Sequence, residues 1–587
     1  MPGIYSVMDI SKTSLYTNAQ QLNVVSHNVA NINTEGYSRQ TGVQATRTPV
    51  KATEGMFGTG ASLTSVIQTV DRFLESRLTD KYTDVAYYGD RLDQLRRLEA
   101  IANEAGETGL GMEMTRFFNA WQDLSNNPES SAVREVLLET AENLADRFST
   151  LQNDMFEMQR DMTTYLKEGV DKVNALSQQI ADLNQKIMAN ETVGKPANDY
   201  RDERQRKINE LAGMINIQWF EQGDGQVTVV AGEGKTLVQA DYPKSDDLGP
   251  LEFHEVDDPN FQGNQIVWVG TDVVMTPEEI TGGELGAWLS LRDQDIPEMQ
   301  AFVDDLAKTL IGQVNLVHSE GVGLDLLTSV TGTYKVSDPT AVLGNEGTLE
   351  YGDLLSSGDF KIWVYEAGTR RDYTISPAPL GSFGQLSLEN VVDRINSALH
   401  DPADPNNPNN PTAKIVDNQL VITGTLGTEF AFSEDDSGLL AALGVNTFFD
   451  GFSAHNISVR DEVTSDPNLV NAGRLLADGE HAKGDNSLAL DLADLKDAAT
   501  MQGGTMTFNE AVTTFASELG AKVSHNQSML DFAELTQGEL LDLRDNMSGV
   551  NLDEEMVKMI QFQRAYQMSA KLIKMADELL TTLIGLV

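Results

Sequence analysis

The chain has 587 residues, no cysteine and a formal charge of −47 at pH 7. So acidic a chain is not expected to bind nucleic acid, because neutralising phosphates requires clustered Lys and Arg. The absence of cysteine excludes disulfides, thiolate metal sites and cysteine nucleophiles.

No segment approaches the roughly 18 uncharged apolar residues of a membrane span. The first residues, MPGIYSVMDISKTS, lack the basic and apolar regions of a secretory signal. We therefore expect no membrane insertion, and a protein that is cytoplasmic or exported by a route that reads no such signal.

Residues 1–35 predict a helix with coiled-coil spacing. Apolar residues recur at alternating steps of four and three, and only Ser11 and Asn18 interrupt them. Residues 1–34 carry only Asp9 and Lys12, whose charges cancel, so copies of this segment can pack together with little repulsion. The predicted seam consists of Ile4, Met8, Leu15, Leu22, Val25, Val29 and Ile32.

The stretch SHNVANINTEGYSRQ, residues 26–40, predicts the end of this helix. Asn, Thr and Gly compete with helical hydrogen bonding and tolerate a left-handed backbone, which Gly36 supplies most readily. We interpret His27 as a packed or solvated flank residue, because no second histidine or carboxylate cluster is spaced to join it. The stretch is thus predicted to be a helix stop, followed by an extended or looped connector over 36–68, and not a ligand site. Its motif residues are Asn28, Asn31, Gly36 and Tyr37.

Three stretches, 69–216, 283–330 and 487–552, predict a helical layer. One helix in it runs from about residue 130 to Asn190, which is too long for a compact core helix unless it belongs to a bundle or is interrupted. Gly169 marks a candidate interruption.

Two β-rich insertions, 217–282 and 331–486, separate the helical stretches. Runs such as GQVTVVAGEGKTLVQA and DFKIWVY combine β-branched and aromatic residues with Gly turns. Acidic side chains of the second insertion, such as Glu434 and Asp435, are expected to lie far out on its surface.

The sequence segments that resemble catalytic or ligand-binding motifs each lack a required residue. GEGKT, residues 232–236, imitates a phosphate-binding loop, but Val229 stands where the first Gly is required, so we predict a hairpin turn. Asp258, Asn260 and Gly263 imitate a calcium loop, but Val269 stands where a Glu is required, so we predict a plain acidic turn. The chain is therefore predicted to be neither an enzyme nor a cofactor-binding protein.

Residues 553–587 predict a second helix with the same spacing, interrupted only by Ser569. Five acids and four bases nearly balance there. The seam consists of Met559, Phe562, Tyr566, Ile573, Ala576, Leu580, Leu583 and Val587, and a second apolar row consists of Met568, Leu572, Met575 and Leu579.

Apolar stripes at the two ends of one chain most simply pair with each other, and the surplus apolar face then requires partner subunits. The predicted fold class is α+β and multidomain. Residues 1–35 and 553–587 pair as a coiled-coil-like core, a long helical bundle forms a layer, and the β-rich domains are inserted into it.

Two terminal motifs carry a family resemblance. SLYTNAQQLNVVSHNVANINTEGYSRQ and NLDEEMVKMIQFQRAYQMSAKLIKMADELLTTLIGLV resemble the ends of the bacterial flagellar axial proteins of rod, hook and junction. Within that group, TEGYSRQ, SNNPESSAVREVLLETAENLA and SGLLAALGVNTFFDG are similar to the FlgK family of hook-associated proteins. The β-rich insertions carry little of the match.

The resemblance implies a structural subunit of the hook–filament junction that polymerises through its terminal helices. It also implies secretion through the flagellar type III export apparatus and an extracellular position in the flagellum. The implied partners are other copies of the chain, the flagellar hook protein, the next hook-associated protein on the filament side and a FlgN-type export chaperone. Two alternatives stay open: a flagellar hook or distal rod protein, or a secreted adhesin or glycan-binding protein.

Overall fold

The computed structural model describes residues 4–52, 55–102, 109–191, 195–232, 234–240, 242–243, 249–254, 265–269, 273–345, 347–366, 368–377, 386–400, 410–425 and 428–585. The chain divides into two compact units. Unit 1 comprises Met1–Leu95, Gln159–Gln294 and Val523–Val587, and unit 2 comprises Arg96–Met158 and Asp295–Lys522.

The helices of the described residues are α1 (Ile4–Ala30), α2 (Arg72–Ala102), α3 (Leu110–Asn126), α4 (Ser131–Asn190), α5 (Asn198–Met214), α6 (Gly283–Ser290), α7 (Ile296–His318), α8 (Leu388–Leu399), α9 (Leu439–Ala442), α10 (Asp461–Ser465), α11 (Ser487–Asp494), α12 (Phe508–Ser548) and α13 (Leu552–Gly585). A π-helical turn, Leu291–Asp295, joins α6 to α7.

The strands are β1 (Gln40–Thr46), β2 (Val50–Ala52), β3 (Gly55–Phe57), β4 (Ala61–Gln68), β5 (Ile217–Glu221), β6 (Val227–Ala231), β7 (Lys235–Val238), β8 (Leu251–His254), β9 (Gln265–Trp268), β10 (Val274–Met275), β11 (Ser329–Thr331), β12 (Phe360–Glu366), β13 (Thr369–Ile375), β14 (Thr412–Val416), β15 (Gln419–Thr423), β16 (Glu429–Ser433), β17 (Phe449–Asp450) and β18 (Ser458–Val459). They form small antiparallel sheets ordered β1-β4, β2-β3, β5-β6-β7, β8-β9-β10, β11-β15-β14, β13-β12-β16 and β17-β18.

The predicted fold class is confirmed. Helices occupy both ends of the chain and its inner stretches, and short antiparallel sheets occupy the two insertions.

The long helix α4 is not interrupted at Gly169; that expectation was wrong. The helix is continuous over 60 residues. A Cβ at Gly169 would lie 2.7 Å from Leu285 Cδ2 and 2.9 Å from Trp288 Cζ3 of α6. The glycine therefore makes room for α6, and the packing gained there offsets its low helix propensity.

The core of unit 1 lies where α4, α5 and α6 meet the sheets β5-β6-β7 and β8-β9-β10. GEGKT lies at the β6–β7 connection, where Val230 pairs with Thr236, so the predicted hairpin is confirmed. The segment that resembles a calcium-binding loop, with Asp258, Asn260 and Gly263, lies outside the described residues.

Unit 2 has an aromatic core. Phe117 and Trp121 of α3 pack against Phe448, and the ring of Trp121 lies edge-on to His318 at 6.2 Å. Burial lowers the pKa of His318 to about 3, so the imidazole is neutral.

The two ring nitrogens of His318 have different partners. Nδ1 lies 2.9 Å from the Asn446 carbonyl oxygen, and Nε2 accepts the Asn471 N–H at 3.0 Å. This pairing assigns the proton to Nδ1, and a neutral ring satisfies both backbone groups.

One expectation about the second insertion was wrong. Asp435 is 9% exposed, and its carboxylate accepts the backbone N–H groups of Ser437 and Leu440 at the start of α9. Glu434 is exposed as expected, and its carboxylate pairs with Lys361 Nζ at 2.7 Å. Adjacent acids in sequence therefore have different roles, because only the Asp435 carboxylate accepts buried backbone N–H groups at the start of α9.

Candidate assembly interface

The terminal helices α1 and α13 pack along each other. The buried residues of α13 are Glu555, Ser569 and Ala576. On α1, Ser14 Oγ lies 2.8 Å from Ser569 Oγ, and Asn18 Nδ2 donates to the Ser14 carbonyl oxygen at 2.8 Å. Since side-chain size at the contact sets the separation of two helices, small residues permit a close approach.

The predicted interruptions of the two stripes are thus among the buried residues of the two helices. Ser11, Asn18 and Ser569 are each at most 9% exposed. The hydrophobic pattern predicted these residues as interruptions because they are polar. A close contact between two helices, however, favours small side chains whose hydrogen bonds are satisfied.

The predicted seam residues fall into three classes by exposure. Val25 and Ala576 are buried; Ile4, Met8, Leu15, Leu22, Val29, Met559, Phe562, Ile573 and Leu580 are partly buried; Ile32, Tyr566 and Leu583 are exposed. Val587 lies outside the described residues. The large apolar side chains therefore border the contact and do not fill its centre.

The second row of α13 faces solvent. Its four side chains are between 45% and 67% exposed: Met568, Leu572, Met575 and Leu579. Further exposed apolar residues on the same helix are Met556, Val557, Ile560 and Ile584. Single exposed apolar residues are ordinary, but a contiguous row along a helix indicates an interaction surface.

The connector after α1 is a two-stranded ribbon that packs on α1. Strands β1 and β4 pair in antiparallel fashion from Gln40–Gln68 to Thr46–Ala61. Gln21 Nε2 donates to the Gly42 carbonyl oxygen at 2.9 Å, and Thr17 Oγ1 donates to that of Ala61 at 3.2 Å. The polar face of α1 is therefore bound to the ribbon.

Asn28 lies at the centre of a buried hydrogen-bond cluster. Its Nδ2 donates to the Gln40 carbonyl oxygen at 2.9 Å and to Glu555 Oε2 at 3.0 Å. Its Oδ1 accepts the Gln40 N–H at 3.0 Å and the Tyr37 hydroxyl at 2.8 Å. One amide thereby connects α1, the turn, β1 and α13.

The acidic surroundings of this cluster affect Tyr37. Burial, followed by the nearby carboxylates of Asp199, Asp202 and Glu555, raises the pKa of Tyr37. Its hydroxyl is consequently a permanent donor to Asn28 at physiological pH.

A second set of polar contacts connects the turn that follows α1 to α12. Arg544 Nε donates to Glu75 Oε1 at 2.7 Å, and Arg544 Nη2 donates to the Gly36 carbonyl oxygen at 3.0 Å. The Arg39 N–H donates to the Ser548 carbonyl oxygen at 2.8 Å, and Arg39 Nη1 pairs with Glu554 Oε2 at 3.0 Å. The α12–α13 junction is therefore held by the residues that follow α1.

The helix α5 contributes two more carboxylates. The Ser38 N–H donates to Asp202 Oδ2 at 2.9 Å, and burial raises the pKa of Asp202 to about 6. His27 Nε2 lies 3.3 Å from Asp199 Oδ1. His27 is thus a partly exposed flank residue with one carboxylate partner, which comes from a helix distant in sequence.

The motif residues lie in this region as a helix end. Gly36 has a φ of +76°, which is the left-handed backbone expected of a helix stop. Asn31 Nδ2 donates to the His27 carbonyl oxygen at 3.0 Å, which completes the last turn. Glu555, Asp199, Asp202 and Arg544 were missed by sequence reasoning; of these, only Glu555 stood in a recognised motif, NLDEEM.

A cleft of about 1090 Å³ opens beside the turn, between α2, α5 and α12. Within the part of the chain that the structure describes, no group of three or more His, Asp or Glu side chains is arranged to hold a metal ion. Nor, over those same residues, is any helix long and apolar enough to cross a membrane. The geometry is that of a packing surface with polar positioning contacts.

Three family models match the chain. The flagellar hook-associated protein FlgK helical domain matches residues 95–331, the flagellar basal body rod FlgEFG protein C-terminal model matches 544–586, and the flagella basal body rod protein model matches 8–37. The FlgK model alone spans less than half of the chain, and the two rod-protein models span most of α1 and all of α13.

Curated relatives match over the full length. The chain is 26% identical to flagellar hook-associated protein 1 of Salmonella typhimurium, with 99% of this chain and 100% of the relative covered. It is 24% identical to flagellar hook-associated protein 1 of Escherichia coli, with 99% and 100% covered, and 24% identical to that of Bacillus subtilis, with 100% and 99% covered.

A solved structure shares the fold. The flagellar hook junction protein FlgK from Burkholderia pseudomallei aligns with a TM-score of 0.50 at 16% identity, over 81% of this chain and all of that chain. At this identity the likeness shows the fold alone. In its terminal motifs, its helical domain and its full-length relatives, the chain is similar to the flagellar hook-associated protein 1 (FlgK) family of flagellar axial proteins.

Proposed function

We propose that the chain is a structural subunit of the bacterial flagellum that forms the hook–filament junction and polymerises through α1 and α13. The observation that carries the proposal is the exposed apolar row of α13. It lies on a helix whose other face is already packed on α1, so the row requires a partner outside the chain.

Burial of this row supplies the driving force for assembly. Each Leu or Met side chain that passes from water into a contact contributes roughly 1.5–3 kcal/mol. The near-balance of charge in α13 permits close packing of copies, whereas the rest of the chain carries most of the net charge of −47 and favours solvent.

The match to the FlgK helical domain over 95–331 supports the junction and not the hook or rod, although the rod-protein models match both ends. The likeness to the FlgK and rod-protein families supports self-assembly and contact with other flagellar axial proteins. The specific neighbours that we propose are the hook protein and the next hook-associated protein.

Export is proposed in the same terms. We infer that the chain leaves the cell through the flagellar type III export apparatus, that a FlgN-type chaperone binds it beforehand, and that its final position is extracellular. The exposed row of α13 is the surface that such a chaperone would cover before assembly.

The test is electron microscopy of cells that lack the gene. Hooks without filaments, with flagellin shed into the medium, are expected; normal filaments would refute the junction role. Complementation with the doubly substituted chain Leu572→Asp, Met575→Asp should fail to restore filaments, because two carboxylates would enter the proposed contact.

The matched control is Val136→Asp, Met112→Asp, which also places two acids at exposed apolar positions on helices. This control should restore filaments. Ile573→Asp is unsuited to the test because Ile573 is partly buried and lies on the seam that faces α1, so the change disturbs the pair within one chain.

A further inference from the structure

The C-terminal half of α12 carries an apolar row that its own unit leaves uncovered. Phe532, Leu535, Leu543 and Met547 are each between 41% and 64% exposed. At 100° per residue, Phe532, Leu535 and Leu543 fall on one face, about a quarter turn from the buried residues Ala533 and Leu540, and Met547 lies at the edge of that face nearest Leu540, which packs on α2. This row, named the α12 row, is the surface from which the inference starts.

Acids border the α12 row on one side, and one acid, Glu539, lies within it, four residues from both Leu535 and Leu543. Asp531, Glu534, Glu539, Asp542 and Asp545 are all exposed. The only base between residues 531 and 545 is Arg544, which is committed to Glu75. The row is therefore an apolar surface with an acidic edge.

The second row of α13 has the opposite edge. Between residues 556 and 576 the sequence contains Lys558, Arg564, Lys571 and Lys574 and no acid. Arg564, Lys571 and Lys574 are exposed, and none of the ion pairs among the described residues includes them. Helical spacing places these three along the side of the second row that is remote from α1.

We propose that the α12 row of one copy binds the second row of α13 of another copy of this chain. The two surfaces match in kind, since each is a helical row of large apolar residues, and they are opposite in charge. Opposite charge at the edges of an apolar contact favours this pairing over α12 with α12 or α13 with α13, where like charges would meet. The inference rests on the proposed function, because it names the contact that polymerisation would use.

Among the residues that the structure describes, neither surface is covered by the same chain. Only residues 549–551 separate α12 from α13, and this junction is held by the Arg39 N–H on the Ser548 carbonyl oxygen and by Arg39 Nη1 on Glu554. In the structure both rows remain exposed. Folding α13 back onto α12 would break these contacts and separate α13 from α1.

The proposed contact is heterologous, because it joins two different surfaces, and it can therefore repeat from one copy to the next. A copy that offers its α12 row to one neighbour still has a free second row for the next, so contacts continue until a ring or helix closes. A pairing of identical surfaces would stop at two copies.

Cross-linking in assembled flagella tests the inference. The chain has no cysteine, so Leu535→Cys and Leu572→Cys introduce unique thiols, one in each row. Flagella sheared from cells that carry both substitutions in one chain, treated with a bismaleimide, should give a ladder of dimers, trimers and larger products. Flagella with either single substitution should give monomers.

A ladder absent from the doubly substituted chain, or dimers from either single variant, would overturn the inference while leaving the proposed function intact. Absence of the unsubstituted chain from sheared flagella would instead refute the proposed function, and the inference with it. The two failures are therefore distinguishable on the same preparation.

Charge reversal provides the second arm. Glu534→Lys with Asp542→Lys should abolish filament attachment, and so should Arg564→Glu with Lys571→Glu. Combining all four should restore attachment, because the charges at the contact are exchanged. Glu135→Lys with Glu142→Lys, an equal change of charge at exposed positions of α4, should have no effect. Failure of the combined variant to restore attachment while each pair abolishes it, or normal attachment in either pair, would overturn the inference.

Discussion

Replacement of Asn28 by Ala tests whether the buried hydrogen-bond cluster holds the terminal helices together. The side chain is 1% exposed and makes four hydrogen bonds of 2.8–3.0 Å. The change would leave the Gln40 N–H and carbonyl oxygen, the Tyr37 hydroxyl and one oxygen of Glu555 without their partner.

Each buried polar group that loses its partner costs about 1–3 kcal/mol. Tyr37 is partly exposed and can bond to water instead, and Glu555 keeps Lys558 Nζ at 2.6 Å. The expected net cost is therefore about 3 kcal/mol, which corresponds to a roughly 100-fold increase in the population of the opened helix pair.

Amide hydrogen exchange on the full chain measures this opening. Exchange of α1 and α13 should accelerate by about 100-fold, while α4 and α7 remain protected, because the loss is local to one pair of helices. Asn23→Ala is the matched control, since Asn23 is an exposed asparagine of the same helix. If Asn28→Ala exchanged no faster than Asn23→Ala, the cluster would not be what holds the pair.

Three further predictions concern buried ionisable groups. Asp435→Ala should lower the free energy of unfolding by about 2 kcal/mol because the buried N–H groups of Ser437 and Leu440 lose their acceptor, whereas Glu434→Ala should change it by less than about 0.5 kcal/mol, as chemical denaturation would show. Because burial lowers the pKa of His318 to about 3, the unfolded chain binds a proton that the folded chain does not. The stability contributed by neutral His318 should therefore be fully present above about pH 6.5 and fall by about 1.4 kcal/mol per pH unit between about pH 6 and 3. Because burial raises the pKa of Asp202 to about 6, its stabilising proton is fully bound below about pH 4 and lost as pH rises through 6; Asp202→Asn, which still accepts the Ser38 N–H, should therefore raise the melting temperature more at pH 8 than at pH 5.

Much of the architecture follows from periodicity. The spacing of Leu15, Leu22 and Val25 identified α1, and the alternation in GQVTVVAGEGKTLVQA identified a hairpin, because both patterns reflect one buried face of a regular element. The end of α1 was also predicted from the sequence, because Gly36 adopts the left-handed backbone that commonly ends a helix.

Contacts between segments that lie far apart along the chain could not be predicted from the sequence. His27 meets Asp199 and Arg544 meets Glu75 only because the fold brings together helices far apart along the chain. The prediction that Gly169 interrupts α4 was wrong for the same reason: the glycine leaves space for Leu285 of α6, a residue far away in the sequence. Local rules describe an element and its ends, but they contain no information about which neighbour will pack there.

The polar residues of the terminal pair explain how one helix can serve two contacts. If large apolar residues filled the centre of the α1–α13 seam, burial within the chain would consume the apolar surface of α13. Ser569 and Ala576 instead occupy the buried positions, and hydrogen bonds at Ser14 and Asn28 stabilise the pair. Small and polar residues thus occupy the buried positions of α13 in the pair within one chain, and the apolar free energy of Met568, Leu572 and their neighbours remains available for contact with another subunit.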